Sequence, residues 1–138
     1  MALLFTCTTF LASLLLFSVQ PLVARLILPS LGGSPAVWNT SMVFFQAVLL
    51  GGYLYAHGVG TRLNSARRGV LVLHGLLLLL PLAFLPLALP RDAAPPATAQ
   101  PILWLLGLLL LCVGAPFFVL SSSSPLLQRL FALTTHRD

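Results

Sequence analysis

Few residues of this chain could bind a ligand or partner, and four of them lie in one apolar stretch. Asn39, Gln46 and Tyr53 are spaced by seven residues, and His57 follows four residues later. At about 3.6 residues per turn, these four side chains fall near one face of a helix over 35–60. We call them the polar stripe. Their amide, phenol and imidazole groups could hydrogen-bond a partner protein or a polar solute.

A membrane environment decides which way the polar stripe should face. The stretch 35–60 exceeds the about 20 apolar residues that a membrane-spanning helix needs. An amide left unpaired in an apolar medium costs about 1–3 kcal/mol by mutational estimates. We therefore expect the stripe to face other helices, a water-filled cavity or a partner protein. The side chains expected to meet lipid on the opposite face are Val43, Phe44, Val48 and Leu50.

Two further polar residues, Gln20 and Arg25, lie in the preceding apolar stretch over 3–28. Arg25 is four residues before Pro29, so its charged head can reach the membrane surface along its aliphatic stem. A functional contact with an anion or a carboxylate is an equal alternative. Gln20 and Arg25 therefore join the polar stripe as candidates to contact a partner or to line a path.

Catalytic and metal-binding chemistry have little support in the sequence. The chain has no Glu, and neither Asp lies in an apolar stretch. His57 and His74 flank a short polar loop and could meet, but no Cys, Asp or Glu supports a metal or haem site there. No paired base activates the serines at 121–124, which we interpret as a helix cap and hinge. We expect no enzyme activity, metal or cofactor.

Composition places the chain in a membrane. Of its 138 residues 59% are hydrophobic and 7% are charged, whereas a soluble domain has about 25% charged residues. Its net charge of +5 could suggest nucleic-acid binding, but the apolar background argues against it. We expect the arginines to lie at membrane edges, where each gains about 1 kcal/mol near anionic lipids. Lipids are thus expected partners and nucleic acid is not.

The apolar stretches predict an all-α integral membrane protein of one domain, with four transmembrane helices in an antiparallel bundle. The predicted spans are about 3–28, 35–60, 70–89 and 102–120. Ser34 should cap the second helix, with Pro35 at its first position. The serine run and Pro125 should end the fourth span, and a short amphipathic helix over about 125–134 should lie in the membrane interface.

Aromatic and basic residues mark the predicted membrane edges. Trp38 and Trp104 are expected to be interfacial anchors. The arginines expected at the interface are Arg62, Arg67, Arg68 and Arg129. Under the positive-inside rule the loop over 61–69 is cytoplasmic, which places both chain termini in the cytoplasm.

Two segments, Gln20–His57 and Gly114–Ala132, resemble the N-terminal membrane region of the fused major-facilitator/spermidine-synthase-like proteins of bacteria. Together they cover somewhat under half of the chain. The positions implied by this resemblance are Gln20, Pro21, Gly32, Gly33, Pro35, Trp38, Asn39, Gln46, Tyr53, Pro116, Ser121, Ser122, Ser123, Pro125, Gln128 and Arg129. The resemblance implies a bacterial inner membrane. It does not imply aminopropyl transfer, because this sequence lacks the nucleotide-binding loop and acidic residues of the synthase part.

Two functions fit these observations. The first is a non-catalytic membrane subunit that docks on a larger inner-membrane protein complex, or helps to assemble it, through the polar stripe. The alternative is a truncated permease-like transport module for a small polar or anionic solute, working as an oligomer with Gln20 and Arg25 along its path. The lack of an intramembrane carboxylate weakens ion coupling in that alternative.

Overall fold

The computed structural model describes residues 2–85, 95 and 100–135, and the side chains of these residues apart from those at 2, 63–67, 134 and 135. Within these ranges every regular element is helical. The elements in chain order are α1 (Ala2–Leu31), α2 (Pro35–Gly60), α3 (Leu63–Leu79), a 3-10 segment (Leu80–Phe84), α4 (Pro101–Leu109), a π-helical segment (Leu110–Gly114) and α5 (Ala115–Thr135). The predicted all-α class is confirmed.

Three helical runs in the described part are long and apolar enough to cross a membrane, as a multi-pass membrane protein requires. They are Leu3–Leu31, Pro35–Gly60 and Pro101–Leu133, the last combining α4, the π segment and α5. The predicted third span over 70–89 corresponds to a shorter apolar helical run, Arg68–Phe84. Residues 86–89 of that span lie outside the described residues.

The connection between α1 and α2 is shorter than predicted. The predicted spans left residues 29–34 between the two helices, yet α1 continues to Leu31. Gly32 then takes a left-handed conformation with φ of 73°, which a residue without a Cβ adopts at little cost. Ser34 accepts a hydrogen bond from the backbone N–H of Val37 at 3.3 Å, and Pro35 opens α2. The predicted cap and first helical position are therefore confirmed.

The predicted break at the serine run is wrong. α5 continues through Ser121–Ser124 and keeps Pro125 inside the helix, so residues 125–134 do not form a separate interfacial helix. The serine hydroxyls donate to carbonyls of their own helix instead of capping a new one. These bonds join Ser121 to Phe118 (2.8 Å) and both Ser122 and Ser123 to Val119 (2.9 and 2.7 Å). The amphipathic pattern beyond Pro125 is present, because Leu126 is buried while Gln128 and Arg129 are exposed.

The main core is formed by α1, α2 and the helical run that contains α4 and α5. Its buried side chains are Leu16, Val19, Val23, Ile27, Phe44, Phe45, Leu105, Leu109, Val113 and Phe117. The Phe45 ring stands edge-on to the rings of Phe44 and Phe117, with centroid distances of 5.4 and 4.9 Å. This T-shaped arrangement is favourable for aromatic rings.

Small residues bring α2 and α5 close together. A Cβ placed on Gly52 would lie 2.9 Å from the Cβ of Ser121. Eight residues further along both helices, a Cβ on Gly60 would lie 3.6 Å from Cγ of Arg129. Because the later residue of α2 contacts the later residue of α5, the two helices run in the same direction.

Candidate functional site

The four residues of the polar stripe share one exposed face of α2. Asn39, Gln46, Tyr53 and His57 are all exposed, and Tyr53 keeps 49% of its accessible surface. Within the described residues none of the four has a hydrogen-bond partner. The predicted common face is confirmed, and the remaining helices of the described chain leave it uncovered.

The expectation for the opposite face of α2 is wrong. Phe44 is 6% exposed and lies in the core, and Val48 is half-buried against it. Val43 and Leu50 are 64% and 59% exposed and lie on the same side as the polar stripe. Successive residues turn by about 100°, which places positions 43 and 50 within about 40° of Asn39. The exposed face of α2 is therefore a mixed surface of polar and apolar side chains.

The two candidates on α1 stand apart from the polar stripe. Gln20 is half-buried and Arg25 is exposed. No hydrogen bond within the described residues joins either side chain to the stripe. The structure thus keeps four of the six candidates on one face of α2 and places the other two on another helix.

The predicted interfacial residues occupy both ends of α2 and its neighbours. Trp38 is 57% exposed near the start of α2, and Trp104 is half-buried near the start of α4. Arg62, Arg68 and Arg129 are exposed, while the side chain of Arg67 lies outside the described side chains. Because Cγ of Arg129 lies beside Gly60, the side chains of Arg62, Arg68 and Arg129 lie at the end of the molecule where α2 meets α3. We call this the basic end.

A buried polar cluster between α2, α3 and α5 was not predicted from the sequence. Oγ of Ser123 lies 3.4 Å from Nε2 of His74, and the His74 ring stacks on Tyr55 with centroids 6.2 Å apart. The buried Tyr55 hydroxyl and His74 Nδ1 have no partner within the described residues. The sequence signal was limited to His74, a lone polar side chain in the apolar stretch over 70–89, and it contacts Ser123 of α5.

This cluster has only part of what serine chemistry needs. An imidazole beside a hydroxyl is the first half of an activated nucleophile, and a third group must orient the imidazole. The Ser123 hydroxyl already donates to the Val119 carbonyl, and no carboxylate lies among the described residues of the cluster. Among the described residues no group of three or more His, Cys, Asp or Glu could hold a metal ion. The cluster connects α3 to α5 through the contact between His74 and Ser123.

No protein-family model, curated protein or solved structure matches this chain. The resemblance to the spermidine-synthase-like membrane proteins therefore stays a prediction. The exposed face of α2 and the basic end are two surfaces of the described chain that present exposed polar side chains.

Proposed function

We propose that this protein is a non-catalytic membrane subunit that docks on a larger membrane protein complex through the exposed face of α2. The observation that carries the proposal is the unpaired polar stripe on that face. Gln46 lies well inside a helix that is long enough to span the bilayer, and Asn39 lies one turn from the start of that helix. Facing lipid, the Gln46 amide would have no hydrogen-bond partner, whereas a helix of another protein could supply one.

Polar and apolar side chains on this face would contribute differently to docking. Hydrogen bonds between membrane helices average only about 0.6 kcal/mol each, so the amides would mainly fix the register of the partner helix. Val43, Leu50 and Leu54 lie beside the stripe and are 64%, 59% and 64% exposed. Close packing of these side chains would supply most of the affinity.

The proposal includes four membrane crossings in an antiparallel bundle, with both termini in the cytoplasm of a bacterial inner membrane. The parallel packing of α2 and α5 supports the number of crossings. If both helices cross the membrane in the same direction, the chain must return across it between them. The apolar run Arg68–Phe84, with the residues after it, would make that crossing. The basic end would face the cytoplasm under the positive-inside rule. Membership of the spermidine-synthase-like membrane family belongs to the same proposal.

Co-purification tests the docking face. Gln46→Leu should lower the recovery of the larger complex about threefold in mild detergent, as expected for one lost hydrogen bond. Gln128→Leu is a matched control, since Gln128 is an exposed glutamine on α5, outside the stripe. Membrane insertion of both variants should be unchanged.

The same experiment separates the alternatives. Equal recovery of the complex with Gln46→Leu and Gln128→Leu would contradict docking through the stripe. Isolation of a homo-oligomer whose thermal stability rises with a polar or anionic solute would replace this proposal with the transport module.

A further inference from the structure

A groove of about 310 Å³ opens at the basic end, between the last turns of α2 and the C-terminal part of α5. Its polar lining consists of Tyr53, His57, Thr61 and Arg129, and its floor includes Ala56 and Gly60. Among the described residues, the lining contains no carboxylate. A cavity of this size could hold a small anionic group or a lipid headgroup.

We propose that this groove binds a phosphate group, carried by an anionic phospholipid or present as free phosphate. Arg129 offers a planar guanidinium whose N–H groups match phosphate oxygens in pairs. His57 and Tyr53 add one N–H and one O–H donor. Within the described residues, none of these three side chains has a hydrogen-bond or ionic partner.

The carbonyl groups at the C-terminal end of α2 do not need Arg129 as a hydrogen-bond donor. The carbonyl of His57 accepts from the backbone N–H of Thr61 at 3.1 Å, and the carbonyl of Val59 accepts from that of Arg62 at 3.0 Å. The Thr61 hydroxyl donates to the carbonyl of Gly58 at 2.8 Å. The turn residues thus satisfy these terminal carbonyls, and the guanidinium remains available to a ligand. Thr61 would serve only to shape the groove.

The charge balance at the basic end favours an anion. The C-terminal end of a helix carries a partial charge of about −0.5, which would oppose an anion beside the C-terminal end of α2. Arg129 and Arg68 each contribute a full positive charge to this end of the molecule. No Asp or Glu lies among the described residues. The positive charge of the two arginines therefore exceeds the partial negative charge at the C-terminal end of α2.

A membrane position favours the phospholipid source. The groove lies at the end of a helix that is long and apolar enough to cross a bilayer, where headgroups are found. Arg129 packs its Cγ beside Gly60, so its apolar stem lies along α2 while its charged head is exposed. An arginine at this level would meet lipid phosphates.

Phosphate binding in the groove does not require docking on a partner, although Tyr53 and His57 belong to both surfaces. Docking concerns recovery of a complex with another protein, whereas phosphate binding is measured on the purified chain alone. The two experiments can therefore contradict docking and phosphate binding independently of each other.

Native mass spectrometry of the delipidated full chain in detergent tests the site, with phosphatidylglycerol and phosphatidylcholine as probes. The wild-type chain should prefer phosphatidylglycerol, and Arg129→Gln should weaken its binding about tenfold, as for one charge-assisted hydrogen bond. His57→Gln, at an exposed position, should weaken it about threefold. Arg68→Gln is the matched control, because Arg68 lies at the basic end but outside the lining of the groove. It should change binding by less than about twofold.

A titration with inorganic phosphate separates the two sources. Displacement of phosphatidylglycerol by inorganic phosphate at comparable concentration would assign the groove to free phosphate, and persistence of the lipid would assign it to a headgroup. Equal losses with Arg129→Gln, His57→Gln and Arg68→Gln would mean diffuse attraction by the arginines and would overturn the site. Absence of binding by both probes and by inorganic phosphate would overturn it as well.

Discussion

Gly52 sets how closely α2 and α5 approach each other. A Cβ at this position would lie 2.9 Å from Cβ of Ser121 and 3.1 Å from the backbone nitrogen of Ser122. Ala56 is one turn further along and is 5% exposed. The four-residue spacing of Gly52 and Ala56 is by itself weak evidence for a close helix contact, because small residues are common in membrane helices.

Substitution at this glycine should be costly. Gly52→Ala adds a methyl group where backbone and side-chain atoms of α5 leave no room, and overpacking of this kind costs about 1–3 kcal/mol. Gly58→Ala is the matched control, since a Cβ at Gly58 would meet nothing within 4 Å. Thermal unfolding in detergent should show a lower midpoint for Gly52→Ala only. Equal midpoints for the two variants would contradict the close approach of the helices.

The polar stripe and the buried cluster differ in how far sequence could predict them. The stripe depends on spacing within one helix, so the face shared by Asn39 and Gln46 follows from helical periodicity alone. The pair formed by His74 and Ser123 joins residues 49 positions apart. Only the packing of α3 on α5 brings them together, and single-residue patterns do not encode that packing.

At the scale of elements, the helical run over Pro101–Leu133 shows where local signals were ambiguous. Pro116 lies inside this run, and the π-helical segment Leu110–Gly114 ends two residues before it. Proline has no N–H, so the helix must rearrange its hydrogen bonds there. The serine run could equally cap a new helix or bond its own carbonyls. Its burial against Gly52 accompanies the second choice, which the sequence alone could not reveal.

Continuity of α5 through the serine run is testable by hydrogen exchange of the protein in lipid nanodiscs. The backbone amides of Ser122 and Ser123 should exchange as slowly as those of Leu108 and Leu109, because all four lie inside one buried helical run. The amide of Gly33, between α1 and α2, should exchange much faster. Fast exchange at the serines, at a rate close to that of Gly33, would indicate a hinge instead of a continuous helix.

At the scale of the whole molecule, the relative directions of the helices constrain the path of the chain. α2 and α5 run in the same direction, as the paired contacts of Gly52 and Gly60 with α5 require. The rings of Phe5 and Phe131 lie 5.2 Å apart, so the start of α1 lies near the C-terminal part of α5. If α2 and α5 both cross the bilayer, the segment between them must return to the opposite side. The short apolar run Arg68–Phe84 lies in that segment.

Fusions to a fluorescent protein that matures only in the cytoplasm test this path. Four crossings place both termini on the same side, so fusions to either end of the full chain should fluoresce in bacterial cells. A fusion after Arg62 should also fluoresce, because the positive-inside rule keeps the basic end in the cytoplasm. A fusion after Ser34, between α1 and α2, should remain dark and serves as the control.

The number of crossings decides the result at the C-terminus. With three crossings, the helical run that begins at Pro101 would have to enter the membrane from the side on which α2 ends. It would then run opposite to α2. That direction disagrees with the contacts of Gly52 with Ser121 and of Gly60 with Arg129, which require parallel helices. A dark fusion at the C-terminus beside a fluorescent one at the N-terminus would therefore contradict both the fourth crossing and the parallel packing of α2 and α5.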